Sequence, residues 1–244
     1  MSAARPLRFP AWLGPLLRDP RFAATVIVVL ALGIGINVAT LGLLYRYYVS
    51  PLPFPEGGRM LNVYFTSNQP TPPLMSIPTW QRLKKGAPAL ADSGLYRDQG
   101  YNVMSGGRQS RINGIEATAS VFSTLGVQPA VGRVFGPASN KPGARPVVVL
   151  SYRLWQTLFG GKSSAVGQTL ELNGKLFTVI GVMPKDFNFP TAQAALWTPQ
   201  IITAFDQDAD MLTAWSDSMV ARLAPGATRT QLLAQADRVL KNEI

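Results

Sequence analysis

The longest uninterrupted apolar segment of the chain lies near its N-terminus, at residues 22–45, with the sequence FAATVIVVLALGIGINVATLGLLY. It contains no charged residue and is bordered by Arg21 and Arg46. As an α-helix it would be about 36 Å long, enough to cross a hydrocarbon layer of roughly 30 Å. The pattern therefore predicts a transmembrane helix at residues 22–46. A buried core helix and a cleaved signal peptide are the alternatives, and both fit less well because the segment is long and uncharged.

Small residues recur every four positions within this segment, at Ala31, Gly35 and Ala39. Positions four apart lie on one side of a helix, so these residues would form a ridge on which a second helix packs closely. Asn37 is polar near the middle of the segment, where an unpartnered amide is costly, and is therefore expected to face protein. The pattern predicts a helix–helix contact that uses these four residues. Alternatively, small residues are simply common in membrane helices, and Asn37 bonds to its own backbone.

The charges beside the segment predict its orientation. Residues 1–21 hold four arginines against a single aspartate, Asp19, so this short tail carries a net charge of +3. Short basic flanks stay in the cytoplasm, which places the rest of the chain on the far side of the membrane. Within the tail, an apolar group could lie along the membrane surface, or the tail could be a disordered leader. That group consists of Trp12, Leu13, Leu16 and Leu17.

Beyond the membrane segment, strand-like and helix-like patterns alternate. The clearest unit is a hairpin at residues 168–183, where two β-rich runs flank Asn173-Gly174, a dipeptide typical of two-residue turns. Capping residues mark helix starts at Ser76, Ser151 and Thr228. This mixture predicts an α+β domain. The expected strands cover residues 60–66, 90–104, 108–119, 146–150, 168–172, 175–183 and 218–223, and the expected helices cover residues 78–85, 121–125, the segment between Ser151 and Gly160, and the segment after Thr228.

Three local predictions are less strongly supported by pattern. Residues 128–133 are predicted to form a loop, and residues 196–199 a brief strand at the edge of the sheet. The last helix is predicted to bury one apolar side, formed by Leu232, Leu233, Ala236, Val239 and Leu240.

Composition excludes several kinds of chemistry. The chain has no cysteine and no histidine, which excludes disulfides, thiol chemistry, Ser-His-Asp catalysis and ordinary zinc sites. The net charge of the whole chain is +10. Apart from the +3 of the tail, this charge is distributed over the rest of the sequence without a basic cluster, which argues against a nucleic-acid partner. Gly161-Lys162-Ser163 lacks the preceding glycine of a phosphate-binding loop, and Asp206, Asp208 and Asp210 lack the glycine and glutamate of a calcium loop. The sequence therefore predicts no catalytic, cofactor or metal site, and a protein that is not an enzyme.

Seven segments occur in a recognisable order along the chain: RDPRFAATVIVVLALGIGIN, PLPFPEGGRML, GIEATASVFSTLGVQPAVGRVF, PVVVLSYRLWQTLFGG, VGQTLELNGKLFTVIGVMPKDFNFP, LWTP and ARLAPGATRTQ. Over roughly residues 16–244 they resemble the MacB-type periplasmic core domain of FtsX-like ABC transporter permeases. With the basic tail at residues 1–21, the resemblance implies a membrane helix at 22–46 and a two-lobed periplasmic domain at 47–244. It also implies an inner-membrane permease that relays ATP-driven motion mechanically, with a separate cytoplasmic ABC ATPase, further permease helices or a second permease copy, and a periplasmic adaptor as partners.

Members of this family continue into further membrane helices, whereas this chain ends at Ile244, inside its last amphipathic helix. The sequence is expected to be a fragment, a truncated reading frame or an anchored domain that works alone. The leading functional hypothesis is a component of a transporter for export or efflux. The alternative is a single-pass interaction or sensor module without transport. An anchored hydrolase fits poorly because the chain has neither histidine nor cysteine.

Overall fold

The computed structural model describes residues 20–48, 54–63, 75–105, 108–208 and 216–241. Contacts divide the chain into two units, residues 1–51 and residues 52–244, and each is described by itself. The N-terminal tail, for which a surface helix or a leader was expected, lies outside the described residues apart from its last two positions.

The first unit contains one long helix, α1 (Pro20–Tyr48). It begins two residues before the predicted membrane segment and ends two residues after it. No proline lies between Arg21 and Arg46, so no residue there removes a hydrogen bond from the helix.

The second unit is an α+β domain, as predicted. Its helices and strands follow one another in the order β1 (Met60–Val63), α2 (Ile77–Gly86), β2 (Leu90–Ser105), β3 (Arg108–Ala117), α3 (Ser120–Leu125), β4 (Val131–Gly132), β5 (Val147–Leu150), α4 (Tyr152–Phe159), β6 (Thr169–Leu172), β7 (Lys175–Val182), β8 (Leu196–Pro199), β9 (Ser218–Leu223) and α5 (Arg229–Lys241). Single 3₁₀ turns lie at Gly57–Arg59, Pro137–Asn140, Ser163–Ala165 and Phe205–Gln207.

All nine described strands belong to one sheet, in the order β1-β9-β2-β3-β8-β5-β7-β4, and β6 pairs with both β2 and β7. Neighbouring strands are antiparallel except for two pairs, β3 with β8 and β5 with β7. Because β1 pairs with β9, the first and last strands of the domain are neighbours. One side of the sheet is therefore formed by the first and last strands of the domain, and the other side by strands from the middle of its sequence.

Two lobes share this sheet. The first lobe combines β1, β9 and the first half of β2 with α2 and α5, and its core contains Trp80, Leu83, Leu95 and Met219. The second lobe combines β5, β6 and β7 with α4, and its core contains Leu150, Trp155, Leu172 and Val179. The opposite face of the sheet carries one large cluster that extends behind both lobes. It includes Tyr96, Phe122, Phe135, Val149, Phe187, Phe189, Trp197 and Val220.

Local signals in the sequence account for the starts of three helices. The Ser76 and Ser151 hydroxyls accept hydrogen bonds from the amides of Thr79 (3.3 Å) and Leu154 (3.1 Å), which caps α2 and α4. Thr228 and Gln231 form the predicted reciprocal capping pair at the start of α5.

The hairpin between β6 and β7 has the predicted two-residue turn. Its central residues, Asn173 and Gly174, have φ angles of 50° and 77°, the positive values that a type I′ turn requires. The Asn173 side chain also accepts a hydrogen bond from the Asn102 amide at 2.8 Å, which ties the turn to β2.

Three local predictions were wrong. Residues 196–199 form a fully buried strand in the interior of the sheet, because β8 is bonded on both sides by β3 and β5. Within the predicted loop 128–133, Val131 and Gly132 pair with β7. Leu233 is 66% exposed, while Leu232 is buried against the first lobe.

Candidate coupling site

Within the part of the chain that the structure describes, one helical segment is long and apolar enough to span a membrane, Arg21–Gly42. It has 22 residues and a mean hydropathy of 2.4, and none of it is buried inside the protein. Its exposed large side chains range from Phe22, at 51%, to Ile36, at 66%. A soluble core helix would bury such side chains, so the apolar surface of α1 is suited to contact with lipid or with other membrane helices.

The four residues that the sequence singled out in α1 lie on two sides of the helix. Ala31, Gly35 and Ala39 form one ridge, and among the described residues no atom outside α1 lies within 4 Å of a Cβ placed at Gly35. Asn37 is two positions from Gly35, which is about 200° around the helix. The ridge and the amide therefore point to different sides of α1.

The polar side chains of α1 bond within the helix. The Asn37 amide donates a hydrogen bond to the Gly33 carbonyl at 2.8 Å, and the Thr40 hydroxyl donates to the Ile36 carbonyl at the same distance. These bonds reduce the cost of placing polar groups in hydrocarbon. The Asn37 side chain keeps a carbonyl oxygen and a second N–H group that the bond to Gly33 does not use.

Phe54 is the first described residue of the second unit, and its ring packs against the large aromatic cluster. The centroid of Phe54 lies 6.1 Å from that of Phe187 and 6.2 Å from that of Phe189, both edge to face. Phe187 in turn packs on Trp197 at 5.1 Å, and Phe189 on Tyr96 at 4.8 Å. The entering chain is thus held by the core that lies behind both lobes.

Two arginines hold the residues that follow Phe54; we call Glu56, Arg59 and Arg222 the entry clasp. Arg59 donates two hydrogen bonds to the Leu223 carbonyl, at 2.9 and 2.6 Å, and pairs with the Glu56 carboxylate. Arg222 donates to the Pro55 carbonyl at 2.9 Å and to the same carboxylate at 3.1 Å. These contacts join the entering segment to the end of β9.

The entry clasp is also anchored in the domain interior. The Arg222 side chain is only 12% exposed, and its Nε donates to the Thr124 carbonyl of α3 at 2.8 Å. Glu56 has φ 56° and ψ 39°, a left-handed conformation that costs a non-glycine residue about 1 kcal/mol. The bonds from the two arginines offset that cost, so the turn at Glu56 depends on the clasp.

A buried carboxylate, Asp217, lies at the start of β9. It is fully buried and accepts hydrogen bonds from the Gln200 amide and the Ser216 hydroxyl, each at 2.9 Å. Burial raises the pKa of Asp217 above its ordinary value of 3.8, against the opposing effects of the Ser216 bond, the positive charge of Arg97 and the Gln200 bond. A folded carboxyl with a raised pKa holds its proton to a higher pH than the unfolded one.

We expect Asp217 to make stability depend on pH. Its contribution favours the folded state below the unfolded pKa and is lost as the pH rises through the folded-state pKa. Asp217→Asn removes this titration, so the variant should gain stability relative to the wild type as the pH rises from about 3 to about 7. Urea unfolding of both proteins across that range measures the difference, and a difference that stays constant with pH would contradict the expectation.

The other motifs weighed in the sequence have structural roles. Gly161 has a φ of 72° and lies in the turn after α4, as expected for a helix end. The Asp206 carboxylate accepts hydrogen bonds from the amide and hydroxyl of Thr203, at 2.8 and 2.6 Å. Asp210 lies outside the described residues.

Sequence reasoning missed the entry clasp and the aromatic contact of Phe54. Arg222 and Glu56 are separated by 166 positions, so no local spacing joins them. The one signal was an arginine in the middle of the apolar run SMVARL, where a charged side chain requires partners if it is buried.

An apolar N-terminal helix followed by a two-lobed α+β domain defines the class of this protein as a membrane-anchored domain. The family model described as "MacB-like periplasmic core domain" matches residues 23–239, so the chain belongs to that family, as the sequence segments indicated. A comparison with curated proteins found no significant match.

Three solved structures share the fold. The periplasmic region of MacB from Actinobacillus actinomycetemcomitans is 17% identical with a TM-score of 0.55, covering 75% of this chain and 82% of its own. The extracellular domain of the noncanonic ABC-type transporter YknZ from Gram-positive bacteria is 14% identical with a TM-score of 0.51, covering 75% and 93%. A domain of a protein described as a permease, from Porphyromonas gingivalis, is 16% identical with a TM-score of 0.58, covering 79% and 84%.

Proposed function

We propose that this chain is the membrane-anchored periplasmic part of an ABC transporter permease. In this role it relays the ATP-driven motion of a separate cytoplasmic ATPase to a periplasmic partner or cargo during export. Its family supports a transporter component rather than an enzyme. The observation that carries the relay is the entry clasp together with Phe54, because these residues fix the segment that follows α1 to both β9 and the aromatic cluster.

A relay needs a stiff connection at the point where motion enters the domain. The Arg222 guanidinium bonds to three residues in two segments of the chain, Pro55 and Glu56 before β1 and Thr124 in α3. A planar guanidinium with several fixed donors holds such a junction in one geometry better than a flexible ammonium. Movement of the residues before Phe54 would therefore be passed to β9 and α3 together.

The relay is tested on the full chain, purified from its native membranes with its partners and placed in lipid nanodiscs. We expect an ABC ATPase to co-purify, and a fluorophore at Asp237→Cys to report a change when ATP is added. This chain has no other cysteine, so within it the label is specific, and the complex with the unsubstituted chain gives the background labelling of the partners. Arg222→Met should keep ATP hydrolysis and lose most of the fluorescence change, whereas Arg229→Met, at an exposed position of α5, should keep both.

The outcomes separate the proposal from its alternative. A chain that purifies without any ATPase would favour a single-pass interaction or sensor module. An ATP-dependent signal that is unchanged in Arg222→Met would show that motion enters the domain elsewhere.

We also propose that the N-terminus is cytoplasmic and that residues 47–244 lie in the periplasm, on the outer side of the inner membrane. The support is the net charge of +3 on residues 1–21. A membrane-impermeant maleimide added to intact spheroplasts should label Asp237→Cys, and should label Ser2→Cys only after permeabilisation. The reverse pattern would refute this orientation.

We further propose that α1 contacts two neighbours, one through Ala31, Gly35 and Ala39 and one through Asn37. Further permease helices or a second permease copy are the expected neighbours. Close packing on small residues and a polar contact contribute only about 0.6 to 2 kcal/mol, so both contacts are individually weak.

The two faces of α1 should respond separately to substitution. Gly35→Leu blocks close approach on the ridge without hindering membrane insertion, and Asn37→Leu removes the amide on the opposite side. Crosslinking between helices in bilayers, from probes placed on each side, should lose one contact in each variant. Loss of both contacts in either variant, or of neither, would contradict two separate faces.

A further inference from the structure

A cavity of about 280 Å³, which we call the seam cavity, lies where the central strands of the sheet meet the second lobe. It lies on the face of the sheet that carries the two lobe cores, and its floor comes from β2, β3 and β8, the strands between them. Cross-strand register places Arg97 opposite Glu116 and Glu116 opposite Thr198, so their side chains share that face. Its walls are the loop before β5 and the hairpin of β6 and β7.

The floor of the cavity is polar, and its groups are already paired. The hydroxyls of Tyr101 and Thr198, both buried, are hydrogen-bonded at 2.7 Å. Burial raises the pKa of Tyr101 to about 12, so its hydroxyl stays neutral. Arg97 donates two hydrogen bonds to one oxygen of Glu116, at 2.8 and 2.5 Å, which neutralises the one carboxylate of the lining.

Two cations lie at the cavity without a counter-ion. Arg145 and Lys175 are both lining residues, both are exposed, and neither forms an ion pair with a described residue. The Lys175 ammonium lies 5.9 Å from the centroid of the Phe177 ring, which holds it beside the cavity wall. Since Glu116 is matched by Arg97, the cavity has an uncompensated positive charge at its edge.

Apolar groups form the rest of the wall. Leu172 and Phe177 come from the hairpin, Pro199 from the end of β8, and Pro146 and Ile201 from the loops beside it. Ile201 is 43% exposed, and its apolar surface faces solvent in the protein as described. The cavity therefore combines apolar walls, a few fixed polar groups and two positive charges that form no ion pair with a described residue. Such a site favours a ligand that has an apolar body and a negative charge.

We propose that this seam cavity binds a small organic anion, whose acidic group lies between Arg145 and Lys175 and whose apolar body lies against Phe177 and Ile201. Such a ligand would touch the central strands and the second lobe at once. The inference does not depend on the relay through the entry clasp, because it uses none of the same residues.

The test is calorimetric titration of the full chain in lipid nanodiscs with naphthalene-1-sulfonate. Its uncharged partner of similar size, naphthalene-1-sulfonamide, reports the contribution of the charge. We expect saturable binding of the sulfonate at one site, at least about tenfold tighter than that of the sulfonamide. Arg145→Gln combined with Lys175→Gln should remove that preference.

Two further variants locate the site. Arg229→Gln combined with Arg238→Gln removes the same charge from exposed positions of α5, and should bind the sulfonate like the wild type. Ala144→Phe fills the cavity from its wall without changing charge, and should abolish binding of both probes. The proposal is overturned if the wild type shows no saturable binding, if both double variants weaken binding equally, or if Ala144→Phe binds normally.

Discussion

Replacing Trp197 with alanine is expected to lower the free energy of unfolding of the domain by about 3 to 5 kcal/mol. Trp197 is fully buried in β8, at the centre of the sheet. Its ring packs edge to face on Phe187 at 5.1 Å, and its indole N–H donates to the Phe189 carbonyl at 3.1 Å. Truncation removes the ring contacts, leaves a cavity and leaves the Phe189 carbonyl without its donor. Each of these effects lowers the free energy of unfolding.

Urea unfolding of the full chain in nanodiscs measures the loss, and Trp197→Phe is the matched control. Phenylalanine keeps most of the ring contact and removes the indole donor, so it should cost clearly less, about 1 to 2 kcal/mol. Equal losses in the two variants would show that the hydrogen bond dominates and that ring packing contributes little. A loss below about 1 kcal/mol in Trp197→Ala would contradict the central position of β8.

Replacing Gly181 with alanine is expected to displace β4 and to destabilise the domain by about 2 to 4 kcal/mol. Gly181 in β7 pairs with Gly132 in β4, and the two strands approach very closely at this point. A Cβ at Gly181 would lie 2.3 Å from the carbonyl oxygen of Arg133, and a Cβ at Gly132 would lie equally close to that of Ile180. Both obstacles are backbone atoms, so no side chain can move aside to relieve the contact.

Gly136→Ala provides the control, because a Cβ there has no atom within 4 Å and its φ of −101° suits any residue. Hydrogen exchange gives a local measurement. The Arg133 amide donates to the Ile180 carbonyl at 2.9 Å, and in Gly181→Ala this amide should lose protection while that of Val148, in β5, retains it. Unchanged protection at Arg133 would mean that β4 tolerates the extra methyl group.

The sequence predicted best those elements that depend on neighbouring residues. The turn at Asn173-Gly174 needs positive φ angles, which these residue types adopt readily. The two residues are therefore enough to predict the turn. The ends of α2 and α4 follow in the same way from Ser76 and Ser151. By contrast, nothing near Leu196 indicates that β3 and β5 will bond to both sides of its strand. The burial of β8 follows from its position between two other strands, and the sequence near β8 does not indicate that position.

The candidate coupling site was predictable only in its first part. Helical spacing places Gly35 and Asn37 on different sides of α1, and the contacts predicted for them with another helix stay predictions. The entry clasp could not be found in this way, because Glu56 meets Arg222 only after β1 has paired with β9. The seam cavity likewise forms only after β2, β3 and β8 have paired and the hairpin of β6 and β7 lies beside them.

The pairing of β1 with β9 determines how the domain would respond to tension. The strands are antiparallel, with Met60 opposite Arg222 and Val63 opposite Met219, so the start of β1 lies beside the end of β9. Pulling on the segments before β1 and after β9 would load the pair from one end, so its hydrogen bonds would break one after another. They would not be sheared all at once. The bonds from Arg59 to Leu223 and from Arg222 to Pro55 lie at the end that is loaded first. The force at which this pair begins to open is therefore set by two guanidinium groups and not by the strands that they join.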